Sequence, residues 1–107
     1  MSFWTPASVE DHPEVYMSRW KIIEASNEDG LKSRHFVGVD EFGGRVSSAI
    51  QKFDFDKRTG VTRSGRVYKL LGPPGHNTDA DYVWNVWKKH NKITEQTIID
   101  IFEEINE

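Results

Sequence analysis

The sequence predicts an α+β domain, in which an antiparallel sheet of about four strands, arranged as a meander, is followed by two helices packed on one face. Three observations lead to this prediction. Short segments of alternating or β-branched apolar residues run from about residue 17 to residue 71. A segment rich in glycine and proline, residues 71–75, ends that run. Beyond it, apolar residues recur at helical spacing.

The four strands are predicted over residues 19–25, 34–39, 45–55 and 61–71. The turn segments between them are short, which favours pairing between consecutive strands. The third strand has a phase problem, because Val46 and Ile50 lie on one face of a regular strand and Phe53 lies on the other. We therefore expect a bulge near residues 51–52.

Two helices are predicted in the last third of the chain. The first covers residues 79–90, with Thr78 as its N-cap and Asn91 as its C-cap. Its apolar stripe consists of Ala80, Val83, Trp84 and Trp87. The second helix is predicted from Thr94 to the end of the chain, and its apolar residues are Ile98, Ile101, Phe102 and Ile105.

A chain of 107 residues has the size of one domain. We predict an N-terminal arm over residues 1–16, where Pro6 and Pro13 interrupt regular structure, and a single domain over residues 17–107. The sequence contains no cysteine, which excludes disulfides, thiolate metal sites and thiol catalysis. No signal peptide and no apolar segment of membrane-spanning length is found, so we expect a cytoplasmic protein without membrane contact.

The net charge of −3 is unevenly distributed along the chain. Residues 31–70 carry 9 basic and 4 acidic side chains, whereas both flanking segments are acidic. One interpretation is internal complementarity between a basic sheet and acidic flanks. The other is a basic sheet face that binds an anionic partner such as a nucleic acid. The candidate contacts are Arg34, Arg45, Arg63, Arg66 and Lys69.

The aromatic residues suggest an interface of a different kind. The chain has four tryptophans, which supply large apolar side chains to a small core, but exposed Trp and Tyr side chains often anchor protein interfaces. The candidate interface aromatics are Trp4, Tyr82 and Trp87. The alternative is that they all fill the core. Homodimerisation, through a sheet edge or through these aromatics, is the simplest form of such an interaction.

No pattern in the sequence predicts a catalytic, metal or cofactor site. The four histidines have no metal-ligand spacing, and Gly-Pro-Pro-Gly at residues 72–75 lacks the lysine and the free backbone N–H groups of a phosphate-binding loop. The leading hypothesis is therefore a small non-enzymatic protein-interaction or regulatory module. Nucleic-acid binding through residues 34–69 is the alternative, and an enzyme with His and Asp chemistry is a distant third.

Overall fold

The computed structural model describes residues 13–101, which form seven strands and one helix. The elements are β1 (Glu14–Asn27), β2 (Lys32–Asp40), β3 (Gly43–Val46), β4 (Ile50–Asp54), β5 (Thr59–Thr62), β6 (Val67–Leu71), α1 (Thr78–His90) and β7 (Ile93–Ile99). The predicted four-stranded meander with two C-terminal helices is therefore wrong. The protein is mostly β, and its sheet is mixed, because β1 and β6 are parallel.

The sheet follows the strand order β3-β2-β1-β6-β5-β4, with β7 attached to β1. Its two end strands, β3 and β4, are separated in the chain only by residues 47–49, so the sheet must curl back on itself. Hydrogen bonds close the curl: the N–H of Ser47 donates to Phe36 O at 2.9 Å, and that of Arg63 donates to Ala49 O at 2.8 Å. The result is a small, barrel-like sheet.

The predicted third strand divides where the sheet turns this corner. Its first part is β3, which pairs with β2, and its second part is β4, which pairs with β5. The β4–β5 register also shifts between Ile50 and Lys52, where the phase change in the sequence predicts a bulge. Ile50, Phe53 and Phe55 can therefore all pack against the same core.

β1 is the central strand and changes its inward face at Arg19. Val15 and Met17 lie in the barrel core before this position, and Trp20 and Ile22 lie in it afterwards. Arg19 has a positive φ of 48°, and the β1–β2 register shifts between Ser18 and Lys21. Such a bulge shifts the alternation of the strand by one residue, so that even-numbered instead of odd-numbered side chains face the barrel core. β1 begins at Glu14, inside the predicted arm, and residues 1–12 lie outside the described part of the chain.

The barrel core is aromatic. The ring of Phe36 lies 5.4 Å from that of Tyr68 and 6.0 Å from that of Phe53. Gly60, on β5, lies directly over the Phe36 ring, and a Cβ atom there would collide with it. The absence of a side chain at residue 60 therefore lets the opposite walls of the barrel approach each other.

α1 covers the outer face of β2 and β3 and forms a second core. Its side chains Ala80 and Trp84 pack against Ile23, Ala25 and Val37. The N-cap is Asn77 rather than the predicted Thr78, since its side chain accepts hydrogen bonds from the N–H groups of Asp79 and Ala80. The C-cap is Asn91, as predicted. No helix within residues 13–101 has the length and apolar character needed to cross a membrane.

The predicted second helix is largely replaced by β7, which pairs antiparallel with β1. Five of its seven residues are the β-branched Ile and Thr, which favour extended backbone over helix. β1 also offers an edge at this point, because β6 pairs only with Glu14–Ser18 and leaves Ile22–Asn27 open to β7. Ile98, placed by the prediction on a buried helix face, is exposed. Residues 102–107 of the predicted helix lie outside the described residues.

Candidate functional site

The basic residues of the sheet do not form one continuous face. Arg34 pairs with Glu24 on the neighbouring strand, with Nε 3.1 Å from Oε2. Lys69 forms an ion pair with Glu14 and lies over the Tyr16 ring, 5.5 Å from its centroid. Glu14, and more weakly Tyr16, raise the pKa of Lys69. These two basic residues are thus matched by carboxylates on β1.

The other three predicted basic residues, Arg45, Arg63 and Arg66, lie on β3 and on the turn between β5 and β6. Arg63 and Arg66 belong to the β5–β6 turn, in which Thr62 N–H donates to Arg66 O and Gly65 N–H donates to Thr62 O. The turn docks on the residues that follow β3, because Ser64 N–H donates to Ser48 Oγ at 3.1 Å. Arg66, on this turn, lies close enough to Arg45 on β3 for the two charges to interact. We call Arg45, Arg63 and Arg66 the barrel-end arginine cluster.

The members of the barrel-end arginine cluster differ in burial and charge environment. Arg45 donates from Nε to Tyr68 Oη at 2.9 Å and from an Nη atom to Asp40 at 3.0 Å. Burial opposes its charge, but Tyr68 and Asp40 outweigh that effect and raise the pKa of Arg45. Arg66 is only 6% exposed, and its burial together with the charge of Arg45 lowers its pKa. Arg63 is the exposed member.

The predicted interface aromatics also differ from one another in burial. Trp87 is half-buried and stacks on Trp84, with ring centroids 5.0 Å apart. The centroid of its ring lies 4.5 Å from that of His35. Trp87 therefore belongs mainly to the second core. Tyr82 is 62% exposed and is available for contact. Trp4 lies outside the described residues.

His35 is the buried histidine of this second core, and its role is structural. Its Nδ1 lies 2.9 Å from Ser47 O, which can only accept, so Nδ1 carries the proton. Its Nε2 lies 2.7 Å from Ser33 Oγ. Burial lowers the pKa of His35, so the neutral form is favoured and Nε2 accepts from the serine hydroxyl.

One His–Asp pair occurs at the start of α1, on the surface. His76 Nε2 lies 3.2 Å from Asp81 Oδ2, and Lys21 binds the other oxygen of the same carboxylate at 2.8 Å. His76 is solvent-exposed. Within residues 13–101, no three His, Asp or Glu side chains are grouped as ligands of a metal ion would be.

A surface that the sequence did not predict lies between α1 and β7. An open groove of about 520 Å³ separates the two elements; it is lined by Asn85, Lys88, Lys89, Lys92 and the first four residues of β7. Trp84 Nε1 donates at 2.7 Å to Oε1 of Gln96, one of the lining residues, and so links α1 to β7. We call the groove, together with Tyr82 and Ile98, the α1–β7 surface.

Tyr82 and Ile98 extend this surface beyond the groove. Tyr82 lies one helical turn before Asn85, on the same side of α1. Ile98 is opposite Ile23 of β1, and Gln96 is opposite Ala25, so both side chains are on the face of the sheet that α1 covers. Ile98 is nevertheless 62% exposed. An isoleucine and a tyrosine are thus presented to solvent on adjoining elements.

The outer edge of β7 is the other feature of this surface. Within the described residues, β7 pairs with β1 and with no other strand. Edge strands of monomeric proteins are usually protected by lysine, proline or a bulge. β7 contains neither proline nor lysine, and its one charged residue is Glu95. Its pairing with β1 is irregular at Thr94, between Glu95 and Ile93, so the regular part of the edge is residues 95–99. The predicted helix from Thr94 to the end of the chain hides this edge, although the β-branched composition of residues 93–99 is a signal against that helix.

Comparisons of the chain with protein-family models, curated protein sequences and solved structures found no match.

Proposed function

We propose that this protein is a small, non-enzymatic protein-interaction module and that it binds through the α1–β7 surface and the outer edge of β7. The observation that carries the proposal is the seven-residue edge strand with its exposed Ile98, together with exposed Tyr82 on α1. An unpaired strand edge offers main-chain N–H and C=O groups to an extended partner segment. We also expect a cytoplasmic location, as the sequence predicts.

The energetics of this surface favour a partner. Full burial of an isoleucine side chain contributes about 1.5–3 kcal/mol relative to exposure, and a tyrosine adds apolar area with a hydroxyl that can remain hydrogen-bonded. The main-chain hydrogen bonds of an added strand give affinity, while side chains beside the edge give specificity. Lys88, Lys89 and Lys92 at the groove favour acidic groups in whatever binds there.

Selection of peptides from a random display library tests the proposal. We expect selection on the wild-type protein to enrich extended, β-branched peptides whose binding falls at least tenfold with Ile98→Glu, because a charge on this face cannot be buried at the interface. The matched control is Leu31→Glu, since Leu31 is equally apolar, 68% exposed and in the β1–β2 turn. Enriched peptides that bind both variants like the wild type would contradict the proposal.

Nucleic-acid binding is the second candidate, and the barrel-end arginine cluster is the observation that favours it. Arg45 and Arg66 lie close enough for their charges to interact, the carboxylate of Asp40 binds Arg45, and Arg63 is on the same turn as Arg66. Exposed Arg63 is the member best placed to reach a phosphate. Against this candidate, Tyr68, the aromatic residue at this end, is buried and offers no stacking surface.

Fluorescence anisotropy with labelled single-stranded DNA and RNA at low salt tests this second candidate. If it holds, Arg63→Ala weakens binding and reduces the salt slope by about one phosphate contact. Arg34→Ala, which removes an arginine already paired with Glu24, serves as the control and changes binding less. The candidate is discarded when neither nucleic acid binds at low salt.

A further inference from the structure

The regular part of the β7 edge is short and ends close to the connection with α1. β7 pairs regularly with β1 from Glu95 to Ile99, and the pairing is interrupted at Thr94. Lys92, just before the strand, has a left-handed φ of 54°. An added strand therefore finds a regular row of main-chain N–H and C=O groups only beside residues 95–99.

The charge around this end of the edge is positive. Three lysines line the groove beside the start of β7: Lys88, Lys89 and Lys92. None of the three forms an ion pair with a carboxylate of residues 13–101. Among the lining residues, the one carboxylate is that of Glu95. Trp84 donates to Gln96, so Gln96 faces α1, and strand alternation turns the neighbouring Glu95 side chain toward the other face.

The C-terminal end of α1 does not cancel this positive charge. The last carbonyl groups of a helix carry partial negative charge. Here the N–H of Asn91 donates to Trp87 O, and the N–H of Lys92 donates to Lys89 O, so two of these carbonyl groups already have donors. The lysine ammonium groups are thus the main charges that a ligand meets at this end of the groove.

The charge selects the direction in which a strand lies on this edge. A strand antiparallel to β7 places its C-terminal end beside the start of β7, near the lysines, whereas a parallel strand places its N-terminal end there. The lysines attract a free α-carboxylate and repel a free α-ammonium group. A chain that ends at this point also needs no main-chain partners beyond Glu95, where the regular edge stops. A free C-terminus therefore suits both the charge and the length of the edge.

We propose that the α1–β7 surface binds the C-terminal tail of a partner protein, extended and antiparallel to residues 95–99, with its terminal carboxylate at the three lysines. This inference rests on the proposed function, since it names the class of partner that the same surface takes. The tail residue beside exposed Ile98 lies about three positions before the terminus, and we expect an apolar side chain there.

Two random-peptide display libraries test the inference, one whose peptides end in free C-termini and one whose peptides are flanked on both sides by constant sequence. We expect enrichment from the first library. The most enriched sequence is then synthesised with a free carboxylate and as its C-terminal amide. Fluorescence anisotropy should show about tenfold weaker binding of the amide, because it lacks the charge that the lysines attract.

A matched pair of variants assigns this difference to the lysines. Lys88→Gln/Lys92→Gln should weaken binding of the free-acid peptide about tenfold and binding of the amide less than about twofold. Lys57→Gln, which removes an exposed lysine from the turn between β4 and β5, should change neither. Circular dichroism confirms that each variant is folded.

Enrichment from the flanked library alone overturns the inference, as does a free-acid peptide that binds no more tightly than its amide. A difference between acid and amide that Lys88→Gln/Lys92→Gln leaves unchanged overturns it as well. In each of these cases, peptides whose binding falls with Ile98→Glu still support the proposed function. The proposed function fails, and the inference with it, when Ile98→Glu leaves the binding of every enriched peptide unchanged or when neither library yields a binder.

Discussion

Buried His35 shows how a single polar side chain is accommodated in this protein. It lies between two serines and against the Trp87 ring, and it is only 3% exposed. Within the described residues, no buried side-chain nitrogen or oxygen lacks a hydrogen-bond partner. Unpaired buried polar groups cost about 1–3 kcal/mol each, so this arrangement preserves the second core.

The lowered pKa of His35 has a consequence for stability. The unfolded chain takes up this proton more readily than the folded one, so the stabilisation from neutral His35 is present above the unfolded-state pKa of about 6.5. It is lost as the pH falls from there toward the lower folded-state pKa. We expect the urea midpoint to fall between about pH 7 and about pH 5, and to fall less in His35→Gln.

The comparison for His35 is His90→Gln, which changes an exposed histidine at the end of α1. Because His90→Gln leaves buried His35 in place, we expect its urea midpoint to fall with the pH more than that of His35→Gln does. If the wild type and His35→Gln lose stability in parallel as the pH falls, the role assigned to His35 is wrong.

The individual elements differ in how well local sequence predicts them. The extent of α1 was predicted nearly completely because a cap, an apolar stripe and the charges at its ends are all local signals. β7 was not predicted, because Ile98 and Ile101 also fit helical spacing and its partner strand is distant in sequence. β-branched residues were the local evidence against the helix, and the open edge of β1 decides the outcome.

The N-cap residue Asn77 is expected to contribute measurably to the stability of α1. Asn77→Ala leaves the N–H groups of Asp79 and Ala80 without their acceptor, so we expect a loss of about 1 kcal/mol in the free energy of unfolding. Thr78→Ala, one residue further on, should cost less than about 0.5 kcal/mol, because exposed Thr78 is inside the helix. Urea denaturation of the two variants compares them directly, and a larger loss in Thr78→Ala would contradict the cap assignment.

At the scale of the whole molecule, the apolar pattern predicted a sheet but not its closure. The closure depends on the bulge at Arg19, on the corner at residues 47–49 and on the parallel pairing of β1 with β6. None of these has a short-range sequence signal of its own. The same limit applies to the candidate sites. Arg45, Arg63 and Arg66 are selected by charge, but only the curled sheet brings the β5–β6 turn to the residues after β3 and Arg66 near Arg45.

The position of β1 at the centre of the sheet has a further consequence for how the chain folds. Its first half pairs with β6, Glu14 opposite Val67, and its second half pairs with β7, Asn27 opposite Ile93. β1 is therefore made before β6 and β7, and its second edge is covered only after both of those strands have been made. Such high contact order slows folding to the millisecond-to-second range typical of small β proteins. During translation, β1 and β2 can form a hairpin early, but the barrel can close only after β6 has left the ribosome.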